Sequence, residues 1–136
     1  MAAMRRVALL LNPESGTGEA AAVEQDLRAL GADVAVVPIQ DPDLALDAEP
    51  ERIVIAGGDG SIGPAAELAA RAGVPLAVIP VGTANDFARA FGLPRDRPDA
   101  YRLAVEGGRT RPIELGLMGE RPFVNVASLG LPPAAA

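Results

Sequence analysis

Short apolar runs alternate with amphipathic stretches along the chain, and each run breaks into a turn rich in glycine or proline. Val7 to Leu11 predicts a first strand, closed by Asn12-Pro13-Glu14-Ser15-Gly16-Thr17-Gly18. From Glu19 to Leu30, Val23, Leu27 and Leu30 share one helical face, and Gly31 supplies a stop. Asp33 to Ile39, with Val34, Val36 and Val37, reads as a second strand, and the acidic, proline-flanked stretch Asp41 to Glu49 as one short surface turn of helix. Ile53 to Ala56 is a β-branched run that breaks into Gly57-Gly58-Asp59-Gly60-Ser61. A helix follows with Pro64 near its first turn, Leu68 within it and Gly73 at its end. Leu76 to Ile79 repeats the design and breaks into Pro80-Val81-Gly82-Thr83-Ala84-Asn85-Asp86, which leads into a helix over Asp86 to Phe91. Beyond a short helix from Pro98 to Val105, two strand-like runs, Thr110 to Leu117 and Pro122 to Ala127, flank Met118-Gly119-Glu120 as a hairpin.

The repeated β-α-β-α order predicts an α/β fold, a three-layer arrangement with helices on both faces of a parallel sheet. Loops at the carboxyl ends of such strands gather along one edge, so the turns at Asn12, Gly57 and Gly82 are expected to face one cleft. A helix start offers unpaired N–H groups and the positive end of the helix dipole, and a glycine turn lets an anion come close to both. Two such turns in one segment point to a polyphosphate.

With 136 residues, the chain fits one modest domain with a real core. Its 49% hydrophobic content and its 15 glycines and 13 prolines describe a turn-rich domain better than a disordered chain. Cysteine and histidine are both absent, which excludes disulfides, thiolate metal sites, a cysteine nucleophile and every histidine-based triad, and leaves acid and base work to carboxylates. All twelve basic residues are arginine, so a Schiff base and the lysine of a Walker-type loop are excluded too. A net charge of −6 argues against binding nucleic acid or an anionic membrane through bulk charge, although Arg95, Arg97 and Arg102 could share a face. The apolar run near the N-terminus is too short for a signal core, and no stretch reaches the length of a bilayer span. The chain is therefore expected to be soluble and cytoplasmic.

Three constellations can carry chemistry. Gly16, Gly18 and Ala21, with Asp41 beyond the second strand, match a dinucleotide fingerprint, but Asn12 to Ser15 intervene before the first glycine and a plain turn and helix start explains them as well. At Gly57-Gly58-Asp59-Gly60-Ser61, the simplest structural reading is a tight turn whose aspartate caps the next helix. Three glycines in four residues exceed that need and leave the backbone open around one carboxylate. Asp59 is suited either to hold Mg²⁺ or to orient an attacking hydroxyl. Thr83 and Asn85 add a hydroxyl and an amide at the third turn, where a helix-capping role also fits; Phe87 and Phe91, four apart, read as core contacts.

Asn12-Pro13 with Ser15-Gly16-Thr17-Gly18, then Gly57 to Ser61, then Pro80 to Arg89, resemble in order and spacing the catalytic domain of diacylglycerol kinases, a family that includes bacterial lipid kinases and sphingosine and ceramide kinases. Phe123 to Gly130 also resembles that family's entry into its second domain. The resemblance implies a phosphofructokinase- and NAD kinase-like nucleotide domain over residues 1–109, with residues 110–136 as strands leading toward a β-rich second domain. It implies transfer of the ATP γ-phosphate to a diacylglycerol-like lipid hydroxyl. By the same resemblance Asp59 is the essential acid near the phosphates and Mg²⁺, and Asn12, Pro13, Ser15, Gly16, Gly57, Gly58, Gly60, Ser61, Gly82, Thr83 and Asn85 line the nucleotide site. Implied partners are ATP and a lipid alcohol, with peripheral contact at the inner membrane face and no nucleic acid. A homodimer is an expectation if apolar positions such as Leu115, Leu117, Val124 and Val126 are left exposed.

Three departures accompany the resemblance. Ser61 stands where threonine is usual, Gly63-Pro64 where Asn-Glu is common, and the chain ends where the second domain would begin. Two alternatives stay open beside the kinase: a nucleotide-binding or regulatory module without turnover, and an NAD kinase-like enzyme sharing the Gly-Gly-Asp-Gly turn. An oxidoreductase built on the Gly16 fingerprint ranks behind them.

Overall fold

Four parallel strands form the centre of the computed structural model, which describes residues 5–11, 17–57, 61–80, 92–94, 96–106, 116–118 and 121–123. They are β1 (Arg5–Leu11), β2 (Ala32–Pro38), β3 (Arg52–Gly57) and β4 (Leu76–Pro80), in the order β2-β1-β3-β4. Between them lie helices α1 (Thr17–Ala29), α2 (Leu44–Asp47) and α3 (Ile62–Ala72), and α4 (Arg97–Glu106) follows β4. The predicted α/β architecture is what the chain adopts.

The residues dictate this sandwich. Successive side chains of a strand point to opposite faces, so a central strand covered by helices on both sides must be apolar at every position. β1 from Val7 and β3 from Ile53 meet that requirement. Leu9, Val54 and Ala56 pack with Leu27 of α1 and Ala104 of α4 on one face, while Leu10, Ile53 and Ile55 pack with Ile62 and Leu68 of α3 on the other. Leu9, Leu10, Ile53, Ile55 and Leu68 are fully buried, and each such side chain contributes about 1.5–3 kcal/mol relative to exposure. β2 is an edge strand in this sheet and alternates instead: Val34 and Val37 are buried, while Asp33, Val36 and Pro38 are exposed.

Glycine ends α3 as expected. Gly73 takes the left-handed conformation at φ 70°, and its N–H donates to the carbonyls of Ala69 and Ala70. Element limits differ from the sequence reading by a few residues at most where both ends are described; α1 begins at Thr17 rather than Glu19, and α2 covers Leu44–Asp47 within the expected Asp41 to Glu49. The expected hairpin is present as β5 (Gly116–Met118) and β6 (Arg121–Phe123), antiparallel with Met118 opposite Arg121. Residues 110–115 and 124–127 of the two expected runs, and the helix expected over Asp86 to Phe91, lie outside the described residues.

Candidate functional site

Backbone register brings the carboxyl ends of the strands together. Leu11 at the end of β1 lies opposite Ala56 of β3 and Pro38 of β2, and Gly57 at the end of β3 lies opposite Pro80 at the end of β4. The amide of Ile39 extends the ladder by one bond, donating to the Leu11 carbonyl at 2.9 Å. The strands therefore end at Leu11, Gly57 and Pro80 along one edge of the sheet. Strand order also reverses here, with β2 on one side of β1 and β3 on the other, which is where open α/β sheets form a ligand crevice.

Gly57 and Ser61 are the two expected site residues that fall among the described residues. Asn12, Pro13, Ser15, Gly16, Gly58, Asp59, Gly60, Gly82, Thr83 and Asn85 lie outside them. Ser61 is the N-cap residue of α3, which puts the cap two residues beyond the aspartate that the simplest structural reading assigned to that role. It is 9% exposed, its backbone is helical at φ −89° and ψ −15°, and its side chain makes no capping hydrogen bond. The serine is thus buried at a helix start without its hydroxyl capping the helix.

Gly57 explains part of this geometry. A Cβ at Gly57 would come 3.1 Å from Ser61 Oγ and 3.3 Å from Ser61 Cβ, closer than ordinary van der Waals contact. Glycine here permits a close approach between strand end and helix start, and no left-handed backbone is involved. The first turn of α3 carries no acidic residue to compete for an anion. Pro64, in that turn, has no N–H, so the donors at the helix start are the amides of Ser61, Ile62 and Gly63. This donor set suits a phosphate oxygen. For a divalent cation, no group of three His, Cys, Asp or Glu is assembled among the described residues.

At the opposite edge of the sheet stands a residue the sequence reading missed. Arg52, the first residue of β3, is 5% exposed, and its Nη1 donates to the carbonyls of Leu103 at 3.1 Å and Ala104 at 2.7 Å, both in the last turn of α4. Burial pushes its guanidinium pKa down, the charge of Arg5 adds to that, and Glu51 opposes it. No local pattern signals the contact, because the partners lie about half a hundred residues later in the chain.

Of the arginines expected to share a basic face, Arg102 is paired within its own helix to Asp99 at 3.4 Å, and Arg95 lies outside the described residues. Two further exposed ion pairs are Arg28 with Glu24 at 3.0 Å, within α1, and Arg71 of α3 with Asp43, at the start of α2, at 2.9 Å. No helix among the described residues is long and apolar enough to cross a membrane.

Comparison with known proteins bears on the whole of this arrangement. Residues 6–118 match the family model described as the diacylglycerol kinase catalytic domain. The chain is 38% identical over 135 residues to the "Probable lipid kinase YegS-like" of Pseudomonas aeruginosa (strain UCBPP-PA14), covering 92% of this chain and 44% of that protein. It is 33% identical over 141 residues to the "Diacylglycerol kinase" of Mycobacterium tuberculosis (strain ATCC 25618 / H37Rv), covering 92% of this chain and 46% of that one. Among solved structures, a diacylglycerol kinase from Bacillus anthracis str. Sterne superposes with a TM-score of 0.67 at 24% identity, over 90% of this chain and 47% of that chain, a likeness of fold. The chain thus spans less than half the length of the curated relatives it matches.

Proposed function

Because the chain belongs to the diacylglycerol kinase catalytic domain family, we propose that it binds the nucleotide in an ATP-dependent phosphorylation of a diacylglycerol-like lipid hydroxyl. In that reaction the acceptor oxygen forms a bond to the γ-phosphorus, the bond to the β–γ bridging oxygen breaks, and ADP leaves. The protein's part in such chemistry is mostly to position groups and offset charge.

The observation that carries the reading is the register that sets the ends of β1, β3 and β4 at one edge, beside Ser61, a buried serine at the start of α3 whose side chain makes no capping bond. On this reading, the amides of Ser61, Ile62 and Gly63 and the Ser61 hydroxyl face phosphate oxygens. Asn12, Pro13, Ser15, Gly16, Gly58, Gly60, Gly82, Thr83 and Asn85 complete the nucleotide site from the three turns. Asp59, whose turn is bounded by Gly57 and Ser61, is the acid next to the phosphates. Mg²⁺ bound there with the nucleotide would supply charge neutralisation, and a single carboxylate with substrate phosphates is a usual way to hold that ion. The lipid alcohol and peripheral contact with the membrane that carries it belong to the same proposal, at the level of the whole protein.

Calorimetric titration with ATP, with and without Mg²⁺, tests the site, with an Asp59→Asn variant and NADH as controls. Metal-dependent ATP binding that the substitution weakens is the expected result; NADH binding with no ATP binding would overturn the reading in favour of the dinucleotide alternative. In a protein of the relatives' full length, Asp59→Asn is expected to lower lipid phosphorylation at least ~10²-fold, in line with the loss of one preorganised charge-stabilising group. Activity retained in that variant would sink the role given to Asp59.

A further inference from the structure

We propose that Arg28 closes the outer side of β2 against strand addition, so that a second copy of the chain cannot extend the sheet there. β2 is the last strand on its side of the four-stranded sheet, and among the described residues no strand flanks it opposite β1. A strand so placed presents a row of backbone N–H and C=O groups with which another chain can pair. Which groups face outward follows from the ladder. The Ile39 amide turns inward to Leu11, and alternate residues of a strand offer their backbone groups to the same neighbour. Asp33, Ala35 and Val37 therefore face β1 with their backbone groups, while Ala32, Val34, Val36 and Pro38 turn theirs outward.

Two of those outward positions are closed. Arg28, in the last turn of α1, donates from Nη2 to the Val34 carbonyl at 2.7 Å, and its Nε donates to the Glu24 carboxylate at 3.0 Å. The two contacts use different nitrogens of one planar guanidinium, so together they fix its orientation. A paired strand would lie about 4.8 Å from β2. With a charged donor already seated on the Val34 oxygen, that strand could pair there only by displacing the guanidinium from a charge-assisted bond. Pro38 has no N–H to offer. Val36 is left as a complete pairing site between two incomplete ones, which is too little to set a register.

Without that closure the strand is well suited to pairing. Val34, Val36 and Val37 are β-branched, and Val36 is exposed, so an added strand would cover apolar surface. A second copy is the occupant that this side would admit. Two β2 strands related by a two-fold axis run antiparallel, and each offers the other the same outward groups.

The test compares Arg28→Ala, Glu24→Ala and Arg28→Lys with Arg71→Ala, which removes another exposed, ion-paired arginine, on α3. Sedimentation velocity over a concentration series reads self-association, and hydrogen exchange followed by NMR reads the amides of Val34 and Val36, at a temperature where circular dichroism shows the variants folded. Arg28→Ala is expected to self-associate at least ~tenfold more tightly than Arg71→Ala, the equivalent of one charge-assisted hydrogen bond. Exchange at Val34 and Val36 should slow as its concentration rises. Both alanine substitutions make the net charge more negative by the same amount, so a difference between them is not bulk self-repulsion. Glu24→Ala, which leaves Arg28 in place without its tether, should shift association in the same direction by less, and Arg28→Lys, which keeps a charged donor, should match the parent. Arg28→Ala associating no more tightly than Arg71→Ala would overturn the proposal. Tighter association without slower exchange at Val34 and Val36 would overturn it too, by placing the contact on another face. If Arg28→Ala does not fold, Glu24→Ala decides by the same two readouts.

Discussion

Replacing Gly57 by alanine probes the tightest described contact of the candidate site, and its effect can be worked from the structure. The new Cβ would sit 3.1 Å from Ser61 Oγ and 3.3 Å from Ser61 Cβ, so the start of α3 must give way by a few tenths of an ångström. Gly57 is buried at the end of a strand whose six residues are all buried, which limits how far the chain can relax. Adding a methyl group to a packed site costs about 1–3 kcal/mol. Against that stands the lower entropy of the unfolded chain, which favours alanine over glycine by about 0.4–1 kcal/mol where the backbone allows both. The net expectation is a loss of roughly 0.5–2 kcal/mol.

Ser61→Gly isolates the cause. Its side chain makes no capping bond, and glycine at an N-cap costs only a few tenths of a kcal/mol relative to serine. With the obstructing atoms gone, Gly57→Ala in that background should be neutral or stabilising, a coupling of about 1–3 kcal/mol between the two positions. Urea unfolding followed by circular dichroism measures all four proteins, and equal slopes make the midpoints comparable. Gly57→Ala destabilising both backgrounds equally, or neither, would refute the close-approach account of this glycine.

Two other expectations follow from the same structure. Glu49 has φ 48°, and its carbonyl accepts a bond from Arg6 Nε at 2.9 Å that glycine would preserve; Glu49→Gly should raise stability by about 0.5–1 kcal/mol in the same unfolding assay, and a loss would show that the left-handed backbone is not strained. With no histidine, cysteine or lysine, the chain has no side chain whose ordinary pKa falls between about 5 and 9, so its stability should be flat from about pH 6 to pH 9. Burial lowers the Arg52 pKa, so the folded state binds fewer protons than the unfolded chain only in the strongly basic range, and the stability gained there as pH rises lies outside that window. A midpoint that moves across neutral pH would contradict this.

The layers of the fold were legible because their residues carry local signals. The unbroken apolar runs of β1 and β3 announce strands covered on both faces, and Gly31 and Gly73 mark helix ends that the structure places at φ 95° and φ 70°. The edge on which the candidate site gathers was legible for the same reason, since parallel strands leave their turns on one side. Arg52 was not. As an arginine just before Ile53, it reads locally as the solvated flank of a strand, and only the position of α4, set by long-range packing, turns it into a buried donor. The relation of Gly57 to Ser61 was legible as a glycine turn but not as a close contact, because the distance depends on how α3 leaves β3.

The strand order also governs how the chain can fold. β1 is made first, yet it pairs with β2 and then with β3, so Arg5 must find Ala32 and Val7 must find Arg52. Until both partners exist, the apolar run from Val7 to Leu11 has neither a ladder nor a helix to cover it. Pairing over such separations requires loop closure before any contact repays it, which makes parallel sheets slow to assemble and exposes their central strands in the meantime. During synthesis β1 therefore waits until Arg52–Gly57 has been made, an interval in which its apolar run is open to self-association or chaperone capture.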